Sequence, residues 1–165
     1  MKCYKKPFLS IIFLCFTLSL SKDISFKEET INNSFIFNET KISYHQDNST
    51  IGYAEYTKIP LVAFYVIHSL YIFPAFRNKG YGTRLLEHVG EVLKQKGAHK
   101  LYIQPGPFEH EENAPHAALT MEQLVLWYKK LGFIPVNKII SFFAAYLYKL
   151  LDIPEDSRYL MVKNL

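Results

Sequence analysis

Between an apolar segment and an amphipathic one lies the run Arg77-Asn78-Lys79-Gly80-Tyr81-Gly82-Thr83. Its two glycines allow the backbone to approach a ligand closely and to adopt turns that a Cβ would hinder. Consecutive backbone N–H groups at the start of a helix form an anion site, for which pyrophosphate is a common ligand. The run therefore predicts a phosphate-binding turn that joins a strand to a helix.

The spacing of the glycines excludes two other phosphate motifs. The P-loop has four residues between its glycines and ends in Gly-Lys-Ser/Thr, whereas a single residue separates Gly80 from Gly82. The dinucleotide fingerprint needs a third glycine, which this run lacks. The turn is therefore expected to serve another phosphate-bearing ligand.

The segments on either side of the run predict a βαβ unit over residues 64–104. Residues 61–73 are almost continuously apolar, which is typical of a strand buried on both faces. Residues 83–96 place leucines and valines on one stripe of an amphipathic helix, with Gly97 as its C-terminal cap. A second short strand is predicted at 100–104. The glycine run thus lies at the first turn of the unit, where phosphate ligands bind in α/β proteins.

The rest of the chain adds strands before this unit and a helix after it. Residues 41–46 and 51–59 flank a polar turn and predict a β-hairpin. A second helix begins at Thr120, with Gln123 in the reciprocal capping position, and ends at Gly132. Two closing strands are predicted at 133–136 and 159–162. The expected fold class is α/β, a mixed twisted sheet flanked by helices.

Composition indicates a single globular domain. The chain has 165 residues, of which 49% are hydrophobic, enough for a proper core. Its formal net charge of +4 is too small to indicate nucleic acid binding. No nucleic acid partner is expected.

The first residues resemble a targeting segment. Residues 1–21 combine a lysine-rich start, an apolar run at 8–20 and small residues at Ser19 and Ser21, the pattern of a secretory signal peptide. The apolar run is short for a membrane span, and an uncleaved anchor is the alternative. Both cysteines, Cys3 and Cys15, lie in this segment, so the domain predicted at 22–165 has no thiol nucleophile or disulfide. If the protein contacts a membrane, this segment is expected to make the contact.

Four matches, in order along residues 41–165, resemble the GNAT acetyltransferase superfamily. The glycine run is similar to the Arg/Gln-x-x-Gly-x-Gly/Ala loop of that superfamily, which binds the pyrophosphate of acyl-CoA. Tyr128 with Gly132 and Phe133 resembles its Tyr-x-x-x-Gly-Phe segment. Residues 70–74 are similar to its fourth strand and following proline, and residues 159–165 to its last strand. The resemblance implies an N-acetyltransferase that uses acetyl-CoA as co-substrate.

The resemblance also implies a role for each candidate site residue. Backbone N–H groups near Leu70 and Ile72 polarise the thioester carbonyl, as in an oxyanion hole. The pyrophosphate is held by the glycine run, through residues Arg77, Asn78, Lys79, Gly80, Tyr81, Gly82 and Thr83. An amine attacks directly, without a covalent enzyme intermediate, and Tyr128 protonates the departing thiolate. The alternative for Tyr128 is a tyrosine that only packs.

The general base is expected on the strand before the glycine run. The superfamily often places a carboxylate two residues before the leucine at position 70, and this chain has His68 there. A histidine can serve, because its pKa lies near the working pH. The alternative is a histidine held by hydrogen bonds in a buried strand. Both hypotheses stay open.

The loop at 105–119 and the apolar segment 139–151 also allow a structural interpretation. Acidic and histidine residues at 109–116 match no standard metal-ligand spacing, so no metal is expected. The loop at 105–119 is interpreted as solvated, and it is expected to border the acceptor pocket. The apolar segment 139–151 looks like an insertion, interpreted as a core helix, a cover for the acceptor site or a membrane-facing patch.

The chain departs from the superfamily before residue 41. Residues 22–40 leave little room for the two helices usual there, and Ile24 and Phe26 alternate with polar neighbours as in a strand. The expected fold therefore has a reduced N-terminal helical region. The acceptor is expected to be a small-molecule or peptide amine. The alternatives are an acyl-CoA-binding domain without activity and an exported interaction protein.

Overall fold

The computed structural model describes residues 23–33, 38–59, 64–106, 119–136 and 160–165. These residues form one seven-stranded sheet and two α-helices. The signal-like segment, the acidic and histidine residues at 109–116 and the apolar segment 139–151 lie outside them. No helix among the described residues has the length and apolarity needed to cross a membrane.

The sheet is mixed. Its strands are β1 (Ile24–Asn33), β2 (Asn38–Gln46), β3 (Ser49–Ile59), β4 (Phe64–Ile72), β5 (Lys100–Ile103), β6 (Ile134–Pro135) and β7 (Met161–Asn164), and its helices are α1 (Tyr81–Gln95) and α2 (Met121–Lys130). The strand order is β1-β2-β3-β4-β5-β7-β6. Neighbouring strands are antiparallel except for β4 and β5, which are parallel because α1 crosses between them. The predicted α/β class and the βαβ unit are confirmed.

The predicted hairpin is formed by β2 and β3, with a tighter turn than the sequence indicated. Asp47 and Asn48 both have positive φ, 49° and 65°, as the two central residues of a type I′ turn require. The strands pair from Gln46 with Ser49, and the register shifts by one residue beyond His45. This bulge decides which side chains of β2 and β3 share a face.

Strand β4 is buried on both faces only over its first half, so the prediction for 61–73 is wrong for the second half. Tyr65, Val66 and Ile67 are buried, whereas the residues from His68 to Ile72 are half-buried. The physical reason is the short partner: β5 pairs with β4 only from Tyr65 to Ile67.

Helix α1 begins two residues earlier than predicted and ends one residue earlier, at Gln95. Its last turn closes on Gly97, which has a φ of 83°. The N–H of Gly97 donates to the carbonyl of Lys94, and the N–H of Ala98 donates to that of Leu93. This pair of bonds is a Schellman motif, which needs the left-handed residue that glycine supplies.

Both described helices pack on the same face of the sheet. Leu85 and Leu93 of α1 and Tyr128 of α2 join one core cluster with Ile42 of β2 and Ile67 of β4. On the opposite face there is a smaller cluster, formed by Val66, Tyr102 and Leu160.

Strand β1 lies where the sequence predicted a reduced N-terminal helical region, and its side chains pack against α1. The ring of Phe26 stacks on His88 with their centroids 3.7 Å apart. Near the end of α1, Lys96 forms an ion pair with Glu28, and the Tyr56 hydroxyl donates to the same carboxylate at 2.9 Å. These contacts hold β1 against α1.

Gly52 provides a stability prediction, because a Cβ built there would lie 2.2 Å from the Tyr71 carbonyl oxygen of the adjacent strand. Gly52→Ala is expected to destabilise the fold by about 1–3 kcal/mol, the usual cost of overpacking, measured by urea unfolding. Gly90→Ala in α1 is the control, because its Cβ would meet only the flexible end of Leu165 at 3.4 Å. The control should gain up to about 1 kcal/mol from helix propensity. Equal stability of both variants would contradict the prediction.

Candidate active site

The candidate active site lies along the edge of β4 beyond its last pair with β5, called the gap here because no described strand pairs with β4 there. Their parallel pairing ends at Ile67 with Ile103, and the N–H of Gln104 still reaches the Ile67 carbonyl at 3.5 Å. Strand β4 then continues to Ile72 beside β3 alone, since β5 has ended. One edge of β4 is therefore left without a strand partner among the described residues.

The backbone polar groups of Leu70 and Ile72 face this gap. The N–H of Phe73 donates to the Ile51 carbonyl at 3.0 Å, so Phe73 directs its polar groups toward β3. Because successive residues of a strand alternate their polar groups between its two edges, those of Ile72 and Leu70 point the other way. The N–H groups predicted to polarise a thioester carbonyl thus lie on the open edge.

The basic side chains of the glycine run bind backbone carbonyls that precede the run. The Nε of Arg77 donates to the Ile72 carbonyl at 3.0 Å, and the guanidinium lies 5.5 Å from the Tyr71 ring centroid. The Nζ of Lys79 donates to the Ala75 carbonyl at 2.8 Å. These bonds tie the run to the end of β4, so that it borders the gap.

The glycine run opens helix α1 with an end that suits an anion. Asn78 and Gly80 have positive φ values of 60° and 79°, and Gly80 is the N-cap. No side chain caps the first turn, and no acidic residue lies in it. The first N–H groups of a helix have no intrahelical partners, and the helix dipole favours negative charge there. The residues present therefore fit a pyrophosphate.

The two glycines differ in what the structure requires of them. Gly80 needs its left-handed backbone, whereas Gly82 lies inside α1, where any residue has the required conformation. A Cβ at Gly82 would lie 3.5 Å from the Trp127 ring and 3.6 Å from the Ile72 side chain, which is ordinary van der Waals contact. The start of α1 therefore packs close to α2 and β4 at Gly82, but neither space nor backbone conformation requires glycine there.

Tyr128 is buried at the end of α2. Its ring is only 4% exposed and lies between Trp127, at 4.7 Å, and Phe133, at 5.6 Å, as measured between ring centroids. Burial raises the pKa of Tyr128 well above its ordinary value, so the phenol keeps its proton at any working pH.

The spacing from Tyr128 to Phe133 also closes the helix. The N–H of Phe133 donates to the Tyr128 carbonyl, and Gly132, with a φ of 88°, donates to the Lys129 carbonyl. This is a second Schellman motif, in which the two aromatic rings form the accompanying apolar contact. The Tyr-x-x-x-Gly-Phe spacing therefore has a structural role, whatever the hydroxyl does.

His68 lies at the residue where β4 bulges. Ser69 pairs with Glu55 and Ile67 pairs with Tyr56, which leaves His68 as the extra residue of β4. Its Nε2 lies 3.3 Å from the Glu39 Oε1. Burial lowers the pKa of His68, while the carboxylates of Glu39 and Glu55 oppose that shift. His68 is therefore largely neutral at neutral pH.

Glu39, Glu55 and His68 form a cluster that sequence reasoning did not find, and their ligand atoms lie within 4.8 Å of one another. Such a set has the donors for a divalent cation. However, the Lys41 ammonium lies 3.2 Å from Glu55 and 4.0 Å from the Tyr53 ring centroid. Because Lys41 already supplies a cation to this carboxylate, the cluster does not carry a metal assignment.

Tyr128 and His68 lie on opposite faces of the sheet. Thr40 and Ile42 of β2 turn inward to the face that carries the helices, so Glu39 and its partner His68 lie on the other face. The structure therefore does not bring the predicted acid and base into contact. The gap beside β4 lies between these two faces.

Trp127 is the second feature that the sequence did not assign to the site. It is the only tryptophan in the chain, and the structure places its ring at the start of α1. The position of Trp127 in the apolar stripe of α2 predicted that its side chain packs, and it does. No local signal in the sequence indicated that it packs against the start of α1.

A β4 edge left open beside an uncapped helix start is the arrangement that the resemblance to GNAT acetyltransferases implies. The profile of the Acetyltransferase (GNAT) family matches residues 9–133, and the chain belongs to this family. The matched range begins inside the signal-like segment, whose assignment stays a prediction.

Solved structures show the same fold. A GNAT family acetyltransferase from Elizabethkingia anophelis with acetyl-CoA bound is 19% identical at a TM-score of 0.54, over 86% of this chain and 98% of its own. GCN5 from Tetrahymena is 15% identical at a TM-score of 0.54, over 76% of this chain and 68% of its own. No curated protein sequence matches the chain.

The chain is shorter than some of the proteins that it resembles. It covers 61% of the PaiA N-acetyltransferase from Thermoplasma acidophilum, solved in complex with coenzyme A, with 16% identity over 77% of this chain and a TM-score of 0.48.

Proposed function

We propose that this protein transfers the acetyl group of acetyl-CoA to an amine. The observation that carries the proposal is the gap between β4 and β5 beside the uncapped start of α1. A gap of this kind accommodates an extended thioester, and the helix start accommodates the pyrophosphate of the same ligand. Membership of the GNAT family supports the same conclusion.

The glycine run would hold the cofactor through its backbone. The N–H groups from Asn78 to Thr83 face no competing carboxylate in the first helical turn. Arg77 would act indirectly, because its Nε already holds the Ile72 carbonyl. The N–H groups of Leu70 and Ile72, on the open edge of β4, would polarise the thioester carbonyl.

The acceptor would enter from the face that carries His68. The neutral imidazole takes a proton from the acceptor ammonium, and the free amine attacks the thioester carbon. The C–S bond then breaks and its electron pair leaves with the sulfur. Tyr128 would donate a proton to this thiolate from the helix-bearing face, and the proton lost by the new amide nitrogen restores the phenol.

The acceptor class is a small-molecule or peptide amine. Lys41 pairs with Glu55, so Glu39 is the carboxylate that gives the His68 face a negative potential, which favours an ammonium over an anion.

A turnover assay tests the proposal. Purified protein is incubated with acetyl-CoA and a panel of primary amines, and the release of coenzyme A thiol and the acetylated product are measured together. Thiol release that depends on an amine, with matching product by mass spectrometry, is the expected result. Binding of acetyl-CoA without thiol release for any amine would favour the alternative, a non-catalytic acyl-CoA-binding domain.

A further inference from the structure

We propose that Glu39 is a positioning residue for His68: its carboxylate holds the Nε2–H of the imidazole, which leaves Nδ1 as the atom that removes the proton from the acceptor ammonium. The inference rests on the proposed function and adds to it a residue and an atom. It assigns to β2 a part in the reaction that no motif in the sequence indicates.

The backbone places the two side chains together. His68 is the extra residue at the bulge of β4, and bulges of this kind re-aim a side chain. The strand that would carry an opposing residue is β3, but the Nε2 of His68 reaches past it to Glu39 on β2, at 3.3 Å. The side chains are 19% and 32% exposed, so the pair is sheltered and still open to a ligand.

The contact favours one tautomer. A carboxylate can only accept, so a neutral imidazole beside it carries its proton on the nitrogen that faces the carboxylate. That nitrogen is Nε2, and the lone pair is then on Nδ1. The carboxylate also stabilises the imidazolium that forms when Nδ1 takes a proton.

Glu55 cannot play the same part equally well. Its carboxylate is engaged by the Lys41 ammonium at 3.2 Å, whereas the contact shown for the Glu39 carboxylate is His68. The charged groups described around His68 are thus Glu39 and Lys41 from β2 and Glu55 from β3. Both carboxylates raise the pKa of His68 against the effect of burial.

The protons balance over one turnover. Nδ1 takes one proton from the ammonium, and the nitrogen lone pair that this frees forms the C–N bond as the C–S bond breaks. The thiolate gains a proton to match the one lost by the amide nitrogen. The imidazolium then returns its proton to solvent, so one proton is released for each acetyl group transferred.

Two variants of Glu39 separate orientation from charge. Glu39→Leu removes both the acceptor and the charge, and Glu39→Gln keeps an oxygen that can accept from Nε2–H. The ¹⁵N chemical shifts of the imidazole give the tautomer and the pKa of His68 without reference to activity, with His68→Gln identifying its signals. We expect a dominant Nε2–H tautomer in the wild type, its loss in Glu39→Leu and its partial rescue in Glu39→Gln.

Kinetics provide the second measurement. Glu39→Leu is expected to lower kcat on the order of tenfold, part of the roughly 10²–10⁴-fold typical of general base catalysis, with an unchanged dissociation constant for acetyl-CoA. The acid limb of the pH–rate profile should move to lower pH, because the carboxylate that raises the pKa of His68 is gone. Calorimetric titration gives the dissociation constant for acetyl-CoA in each variant.

Glu55→Gln is the matched control. It removes a carboxylate from the same cluster and should also move the acid limb to lower pH, but it should keep the Nε2–H tautomer. A double variant, Glu39→Leu with His68→Gln, should be no slower than His68→Gln alone, because the two residues act as a unit.

The outcomes are distinct. An active wild type whose tautomer and acid limb are the same in Glu39→Leu would overturn the positioning role and leave the proposed function standing. A wild type that transfers no acetyl group to any amine would overturn the proposed function and this inference with it. Equal tautomer loss in Glu39→Leu and Glu55→Gln would overturn the specific role of Glu39.

Discussion

Gly82→Asp is expected to weaken acetyl-CoA binding tenfold or more while the protein stays folded. The new carboxylate would lie in the first turn of α1, where the pyrophosphate is proposed to bind, and one decade of affinity corresponds to about 1.4 kcal/mol. The same position favours aspartate for folding, because negative charge stabilises a helix start and the first turn has none. Calorimetric titration with acetyl-CoA gives the dissociation constant.

Gly82→Asn is the control for size. It adds nearly the same atoms against Trp127 and Ile72 without the charge, so the difference between the two variants measures electrostatic repulsion. That difference should shrink as salt is added, since screening weakens exposed charge interactions. A folded Gly82→Asp protein that binds acetyl-CoA as tightly as the wild type would refute the proposed phosphate site.

Tyr128→Phe is expected to reduce kcat by roughly 10²–10⁴-fold, the range of general acid catalysis. The ring contacts with Trp127 and Phe133 and the helix-closing hydrogen bonds do not involve the hydroxyl. Stability and acetyl-CoA affinity should therefore change little. Because burial raises the pKa of Tyr128, the wild type should show no loss of activity from its ionisation near neutral pH.

Tyr102→Phe is the matched control, since Tyr102 is also a buried tyrosine but belongs to the small cluster on the opposite face. It should retain wild-type turnover. If Tyr128→Phe retains it too, the tyrosine serves only to pack and to close α2, and the thiolate takes its proton from water or another residue.

The helices could be predicted because capping residues close in sequence set their boundaries. Thr120 and Gln123 form the predicted capping box, with bonds of 2.9 and 3.4 Å. Gly97 ends α1 where the periodicity ends. Each of these signals acts over three to five residues, so the sequence alone contains it.

The cluster around His68 could not be predicted, because it depends on two bulges. With a regular two-residue turn, Lys41 would lie opposite Ala54, on the core face. The register shift beyond His45 places it opposite Glu55 instead. The second shift makes His68 an extra residue of β4. A shift of one residue exchanges the two faces of a strand, and no local pattern in these strands specifies it.

The three residue pairs that join β4 to β5 have a mechanical consequence. They divide the sheet into a part of four strands and a part of three, which also share the main core cluster. A ligand in the gap would contact both parts. Its binding free energy would then oppose local separation of the two parts, so that occupancy by acetyl-CoA and rigidity of the sheet would rise together.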